Sequence, residues 1–321
     1  MKFPFEYFIT MQVSIPAPLT ELVFSFKLRY SMNREAGLDI DLNGKIILVT
    51  GATNGIGRVT ACELARLGAQ VILLSRNAEK CARVAEEIKR DTGKSVEYLA
   101  ADLSTLEGIA RAAEAFKQRQ RRLDVLVNNA GGVFIRRSVT ADGLEMTFAL
   151  NHLAYFLLTG LLLDVLKQSS PARVVNVSSG LHMRAHLDFD DLQNAKRYSG
   201  FQAYGRSKLA NVLFTYELAR RLAGSGVTVN CLHPGYVNTG LSLNNGPIYG
   251  VFAGLSAWLF GRRPEEGART SIYLAASPEV EGVTGKYFAD CQPVSSSPES
   301  YDKEVAARLW HDSLEICKKV M

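Results

Sequence analysis

Six short apolar runs, rich in β-branched residues and spaced by helix-length segments, constrain this 321-residue chain more than any other feature. They are KIILVT (45–50), AQVILLS (69–75), SVEYLAA (95–101), LDVLVNN (123–129), ARVVNVSS (172–179) and VTVNCL (227–232). Nearly continuous apolar character is what a strand covered on both faces requires. Helical spacers between consecutive strands impose crossovers, and crossovers make neighbouring strands parallel. The pattern predicts a single doubly wound parallel α/β domain over residues 44–292, with an N-terminal arm of unassigned role (1–43) and a C-terminal tail (293–321). After the sixth run the regularity breaks. Residues 240–263, GLSLNNGPIYGVFAGLSAWLFGRR, are apolar, aromatic and interrupted by glycines. Past the carboxyl end of a strand they are expected to form a substrate lid; a packing excursion over the core is the plainer alternative.

Charge narrows the range of partners. Lys plus Arg is 37 and Asp plus Glu is 32, a formal charge of +5, and the arginine pairs 121–122, 136–137 and 262–263 are scattered. No basic stripe is formed, so nucleic acid is not expected as a partner. The five cysteines include no CxxC, which favours reduced thiols and a cytoplasmic protein over a disulfide framework or a zinc site; no metal is expected. The nearest candidate for a membrane span, LAYFLLTGLLL (153–163), is too short to cross a bilayer. The first thirty residues lack the apolar core and cleavage site of a signal peptide. An ordered arm, a peripheral membrane contact and an extension upstream of Met32 all remain open for them.

The turn TGATNGIG (50–57) follows the first run directly and opens the next helix. Gly51 permits a tight turn, Gly55 a close backbone approach to a ligand, and Gly57 close packing of helix on sheet. With Thr53, Asn54 and Ile56 on the same turn, the helix N-terminus offers N–H groups and a positive dipole to a pyrophosphate. An NAD site of this design places an acid about twenty residues on, to hold the ribose 2′-hydroxyl. Here the second run ends Ser75–Arg76–Asn77, with no carboxylate. Arg76, assisted by Arg58, suits a 2′-phosphate, so the cofactor predicted is NADP(H); a solvated strand-end charge is the alternative for Arg76. Asp102 and the Leu103 backbone are offered to an adenine edge. Asn128, Ala130 and Gly131 of NNAGG form a tight turn where ligands bind in open sheets.

A second signature lies at AYGRSKLANVLF (203–214), which sets Tyr204 and Lys208 one helical turn apart on one face. The ammonium is expected to stabilise tyrosinate and draw the phenol's pKa down from about 10 towards neutrality. Taken in order, TGATNGIG, NNAG, a serine at the fifth strand end and YGRSK resemble the classical short-chain dehydrogenase/reductase (SDR) family over roughly residues 40–290. NHLAYFLLT, VVNVSS, RYSGFQAYGRSKLANVLF and GVTVNCLHPGYVNT are similar to its retinol dehydrogenase-like branch.

The resemblance implies a Rossmann fold and a catalytic set of Asn151, Ser179, Tyr204 and Lys208. Tyr204 would supply a proton to a carbonyl oxygen and Ser179 would hydrogen-bond that oxygen. Lys208 would also bond the nicotinamide ribose, and Asn151 would hold a water linking the lysine to solvent. HPGYVNT (233–239) resembles the family's PG segment, with Pro234 and Gly235 forming a rigid turn and Val237 and Thr239 touching the cofactor. Family members pair as homodimers or homotetramers through the helices expected at 141–168 and 202–222, which are apolar around much of their circumference. His182 and His186 are placed at the pocket mouth as surface or lining residues, and His152 and His233 are read as structural. Animal members of the branch carry an apolar N-terminal anchor, for which residues 1–43 are a poor match.

The activity expected is NADPH-dependent interconversion of a lipophilic aldehyde or ketone and its alcohol. Two alternatives differ in kind: a dinucleotide-sensing protein without turnover, and a carbon–carbon double-bond reductase related to protochlorophyllide reductase. The full Asn–Ser–Tyr–Lys set argues against the first.

Overall fold

The computed structural model describes residues 40–237, 245 and 261–321. Thr239 and all of the expected lid except Asn245 and residues 261–263 lie outside the described residues. The six apolar runs form β1 (Ile46–Thr50), β2 (Gln70–Ser75), β3 (Glu97–Ala100), β4 (Val125–Asn128), β5 (Ala172–Val177) and β6 (Val227–His233). All six are parallel, in the order β3-β2-β1-β4-β5-β6. The order reverses at β1, where Val49 lies between Leu73 of β2 and Val127 of β4. The crevice above the carboxyl ends of β1 and β4 is therefore the switch point at which ligands bind.

Two further strands continue the sheet beyond β6: β7 (Tyr287–Ala289), parallel, and β8 (Gln292–Val294), antiparallel. The sheet is thus mixed, not wholly parallel. Each is three residues long, too short for a periodic signal, and β8 tolerates Pro293 because it is an edge strand.

The helices are α1 (Gly55–Arg66), α2 (Ala78–Thr92), α3 (Leu106–Arg119), α4, α5 (Leu163–Gln168), α6 (Gly200–Arg221), α7 (Pro264–Ala276) and α8 (Lys303–Cys317). The composite α4 begins at Met146–Phe148, widens into a π-turn at Ala149–Leu153 and resumes as Ala154–Leu161. Helix α1 packs against α2 and α7, α3 against α4, and α6 against α8. Among the described residues no helix is long and apolar enough to cross a membrane.

Residues 293–321, expected to be a tail, instead contain a helix docked on the core. Ala306, Leu309 and Cys317 of α8 are buried in the same cluster as α3, α4 and α6. Trp310 meets Phe156 edge-on at 5.0 Å and stacks on Phe214 at 6.0 Å, and the Arg221 guanidinium covers the indole at 4.3 Å. Phe156 and Phe214 belong to the apolar helices whose surplus surface was expected to serve a dimer interface. At these residues the surface is covered by the chain's own C-terminal helix.

Candidate active site

The site begins at the turn after β1. Gly51 has φ +65°, and a Cβ there would stand 2.8 Å from the Ala130 Cα. A Cβ on Gly57 would stand 2.5 Å from the Gly51 carbonyl oxygen. Neither position has room for a side chain, so the first helix turn and the NNAGG turn approach backbone to backbone. Two residues not assigned from the sequence hold them together. The Thr50 hydroxyl accepts from the N–H groups of Asn129 (2.8 Å) and Ala130 (2.9 Å), and the Asn129 amide donates to the Thr50 carbonyl (2.8 Å). Both belong to the quoted motifs, Thr50 as the first residue of one and Asn129 as the second of the other.

Asn128 was expected beside the cofactor, and its side chain is elsewhere. It is fully buried and donates to Thr159 Oγ1 and Asn176 Oδ1, both at 2.9 Å. Side chains alternate across a strand, so consecutive asparagines at the end of β4 face opposite ways. Asn129 faces the turn and Asn128 the core.

Arg76 is exposed at the end of β2 and has no side-chain partner among the described residues. Arg58 differs: its guanidinium pairs with Glu87 at 2.9 Å. One Asp102 oxygen accepts from the Ser104 N–H (3.0 Å) and hydroxyl (2.8 Å), and Leu103 is buried beside it. On the far side of the crevice, Gly235 has φ +82°, and a Cβ there would meet the Arg262 side chain at 3.0 Å. Arg262 in turn pairs with Asp290 and donates its N–H to the Tyr236 carbonyl at 2.7 Å. Val237 and Ile56 converge on Gly267 of α7, where a Cβ would stand 2.6 and 3.3 Å from them.

The candidate catalytic residues gather behind Gly131. A Cβ on Gly131 would lie 3.1 Å from Asn151 Oδ1 and 3.6 Å from Lys208 Nζ. Asn151 sits on the π-turn of α4. Its Oδ1 accepts from the Gly132 N–H (2.8 Å), and its Nδ2 donates to the Gly132 carbonyl (3.0 Å) and to Ser207 Oγ (3.0 Å). Its main-chain carbonyl accepts from the Asn211 amide at 2.9 Å. Ser179 follows β5 and caps a 3₁₀ turn, Gly180–Arg184. Tyr204 and Lys208 lie in the first three turns of α6, both buried.

The electrostatics run opposite to the expected direction. Burial pushes the Tyr204 phenol up to about 12, with its hydrogen bond to Ser179 working the other way, and pulls Lys208 down to about 7. Removal from water disfavours the charged form of each group. The ammonium lies 5.7 Å from the Tyr204 ring centroid and donates to the Val177 carbonyl at 2.9 Å. Burial and Ser179, not Lys208, set the direction of the phenol's shift. At neutral pH the phenol is fully protonated, as a proton donor must be.

The histidines are also redistributed. His182, expected at the surface or pocket wall, is fully buried, whereas His186 is exposed and stands 2.6 Å from Glu299. His152 is buried among Phe148, Phe156 and Phe214, with Nε2 2.9 Å from Ser313 Oγ of α8. His233 accepts the Gly235 N–H on Nδ1 at 3.1 Å.

A glycine-walled crevice with an exposed arginine at one end and a buried Tyr–Lys–Asn group beside Ser179 at the other has clear counterparts. The short chain dehydrogenase family profile matches residues 45–247. The chain belongs to the short-chain dehydrogenase family. It is 44% identical over 285 residues to human retinol dehydrogenase 14, covering 84% of this chain and 85% of that one. To human retinol dehydrogenase 13 it is 45% identical over 279 residues, covering 85% and 84%. Among solved structures it resembles an uncharacterised Mycobacterium paratuberculosis protein, with TM-score 0.71 and 35% identity over 87% of this chain and 95% of the other. It also resembles the Pseudomonas aeruginosa RhlG/NADP active-site complex, with TM-score 0.62 and 33% identity over 77% and 95%. This SDR chain sits with the retinol dehydrogenase-like branch.

Proposed function

We propose that this SDR protein is an NADP(H)-dependent oxidoreductase that interconverts lipophilic aldehydes or ketones and their alcohols. The observation that carries the reading is the buried Tyr204 phenol, beside Ser179 at the head of the helix that also supplies the buried Lys208. The crevice fits a dinucleotide. Gly51 and Gly57 leave no Cβ between the two turns, Gly131 opens the floor in front of Lys208, and Arg76 has its donors uncommitted among the described residues. Arg76 matches a 2′-phosphate, the feature that separates NADP from NAD. Bound there, NADPH supplies the hydride.

The chain's own residues manage the proton and the developing charge. Tyr204 gives its proton to the substrate oxygen, and Ser179 hydrogen-bonds that oxygen as it gains charge. Asn151 fixes the NNAGG turn through Gly132, and Lys208 holds the floor of the crevice beside it. The lipophilic class of substrate follows from the retinol dehydrogenase relatives.

The test is loss of NADPH absorbance with retinaldehyde and other long apolar aldehydes, followed by identification of the product. We expect alcohol formation. Tyr204→Phe should lower kcat by about 10²–10⁴-fold while NADPH affinity is kept. Tight NADPH binding with no aldehyde consumed, or an active Tyr204→Phe enzyme, would overturn the reading.

A further inference from the structure

His182 sits where two hydrogen bonds fix its state. The Ser297 main-chain N–H donates to Nε2 at 3.1 Å, so Nε2 is an acceptor and carries no proton. The ring proton of the neutral imidazole is then on Nδ1, which stands 2.7 Å from the Ser179 carbonyl oxygen and donates to it. The same carbonyl accepts the His182 main-chain N–H at 3.2 Å. Both acceptor directions of the Ser179 carbonyl are thereby occupied, and the peptide that follows Ser179 is held on two sides. Side-chain direction follows backbone direction, so the aim of the Ser179 hydroxyl depends on this clasp. Tyr287 packs against the imidazole at 4.7 Å and leaves it no freedom to turn.

The other end of the clasp lies in the serine run at 295–297. Ser296 Oγ is 2.7 Å from the Tyr216 hydroxyl and 2.6 Å from Ser300 Oγ. Tyr216 belongs to α6, the helix that carries Tyr204 and Lys208. Adjacent residues of one short segment thus grip both parts of the candidate catalytic group: Ser296 grips the Tyr204 helix and Ser297, through His182, the Ser179 turn. A misplacement of about 1 Å in such a group costs on the order of 10²-fold in rate.

We propose that His182 is a positioning residue that sets the Ser179 hydroxyl relative to Tyr204 by anchoring the Ser179 carbonyl to the main chain of the C-terminal segment. The proposal rests on the reading of Ser179 as the hydroxyl that meets the substrate oxygen. Nothing in the sequence points to it, because Ser297 and His182 are 115 positions apart.

The experiment is a kinetic double-mutant cycle on the full chain with NADPH and a long apolar aldehyde. His182→Ala should lower kcat about ten- to hundredfold with NADPH affinity unchanged. His182→Asn, whose amide can still donate to the Ser179 carbonyl but does not reach Ser297, should recover only part of that loss. Placed on Ser179→Ala, which is itself slow, His182→Ala should cost nothing more, since there is no hydroxyl left to aim. Unchanged kcat in His182→Ala, or a loss that multiplies in full with that of Ser179→Ala, would overturn the proposal. If His182→Ala does not fold, His182→Gln keeps reach to Ser297 without the Ser179 contact and enters the same cycle. Full activity in Ser179→Ala would instead remove the reading of Ser179 and the proposal with it, so the two failures are distinguishable.

Discussion

At the scale of single residues, the identities of the candidate catalytic side chains are legible in the sequence and their energetics are not. Tyr204 and Lys208 stand one turn apart because a helix places i and i+4 on one face. Their pKa directions depend on how thoroughly the fold removes both from water, a tertiary property, and burial is the leading cause for each. Arg76 is the converse case. Its role was inferred from a missing carboxylate, and the structure leaves it exposed and unpaired among the described residues, while Arg58 is committed to Glu87. Arg76→Asp should therefore raise KM for NADPH by about ten- to hundredfold, the worth of one or two charge-assisted hydrogen bonds. It should improve KM for NADH, and kcat with saturating cofactor should move little. The check is a pair of cofactor titrations at fixed aldehyde. An unchanged NADPH-to-NADH preference would remove Arg76 from the site.

At the scale of elements, what the sequence announced clearly was whatever repeats: long buried strands, the glycine turn and the apolar α6. What it hid was short or ambiguous. Strands β7 and β8 carry too few residues for a period, and the π-turn in α4 is written in the same apolar letters as the helix around it. Helix α8 reads as a charged amphipathic segment whose partner is not specified. Its docking depends on Trp310 finding Phe156, Phe214 and Arg221. Trp310→Ala should cost about 2 kcal/mol, below the range for a fully buried aromatic because the indole is only partly buried. It should also bare apolar surface on α4 and α6. A lowered urea midpoint with an unchanged slope would register the first effect, and concentration-dependent association by light scattering the second. A midpoint equal to wild type would mean that α8 does not lean on the core through this indole.

At the scale of the whole molecule, buried imidazoles predict how the fold meets acid. His152 is enclosed by aromatic rings and fully buried, and burial pulls its pKa from 6.5 to about 4, with the Asn211 amide opposing the shift. Burial also lowers His182 and His233. For each, the unfolded chain takes up a proton at a higher pH than the folded chain does. Stability therefore falls as pH drops below about 6.5, and the loss from His152 is complete near pH 4, at about 3 kcal/mol. Carboxylates act in a separate and lower window. Burial raises Asp124, but Arg122, the Ile46 N–H and Lys45 outweigh it and hold the group below its usual value. Its contribution is intact above about pH 5 and is lost progressively beneath it. The slope between pH 6.5 and about 5 thus belongs to the imidazoles. His152→Gln, neutral throughout and able to reach Ser313, should flatten most of that slope in a series of urea midpoints while leaving the steeper fall below pH 4 in place. A wild-type slope in the variant would mean that His152 is already protonated in the folded protein, or that the fold opens around it before it titrates.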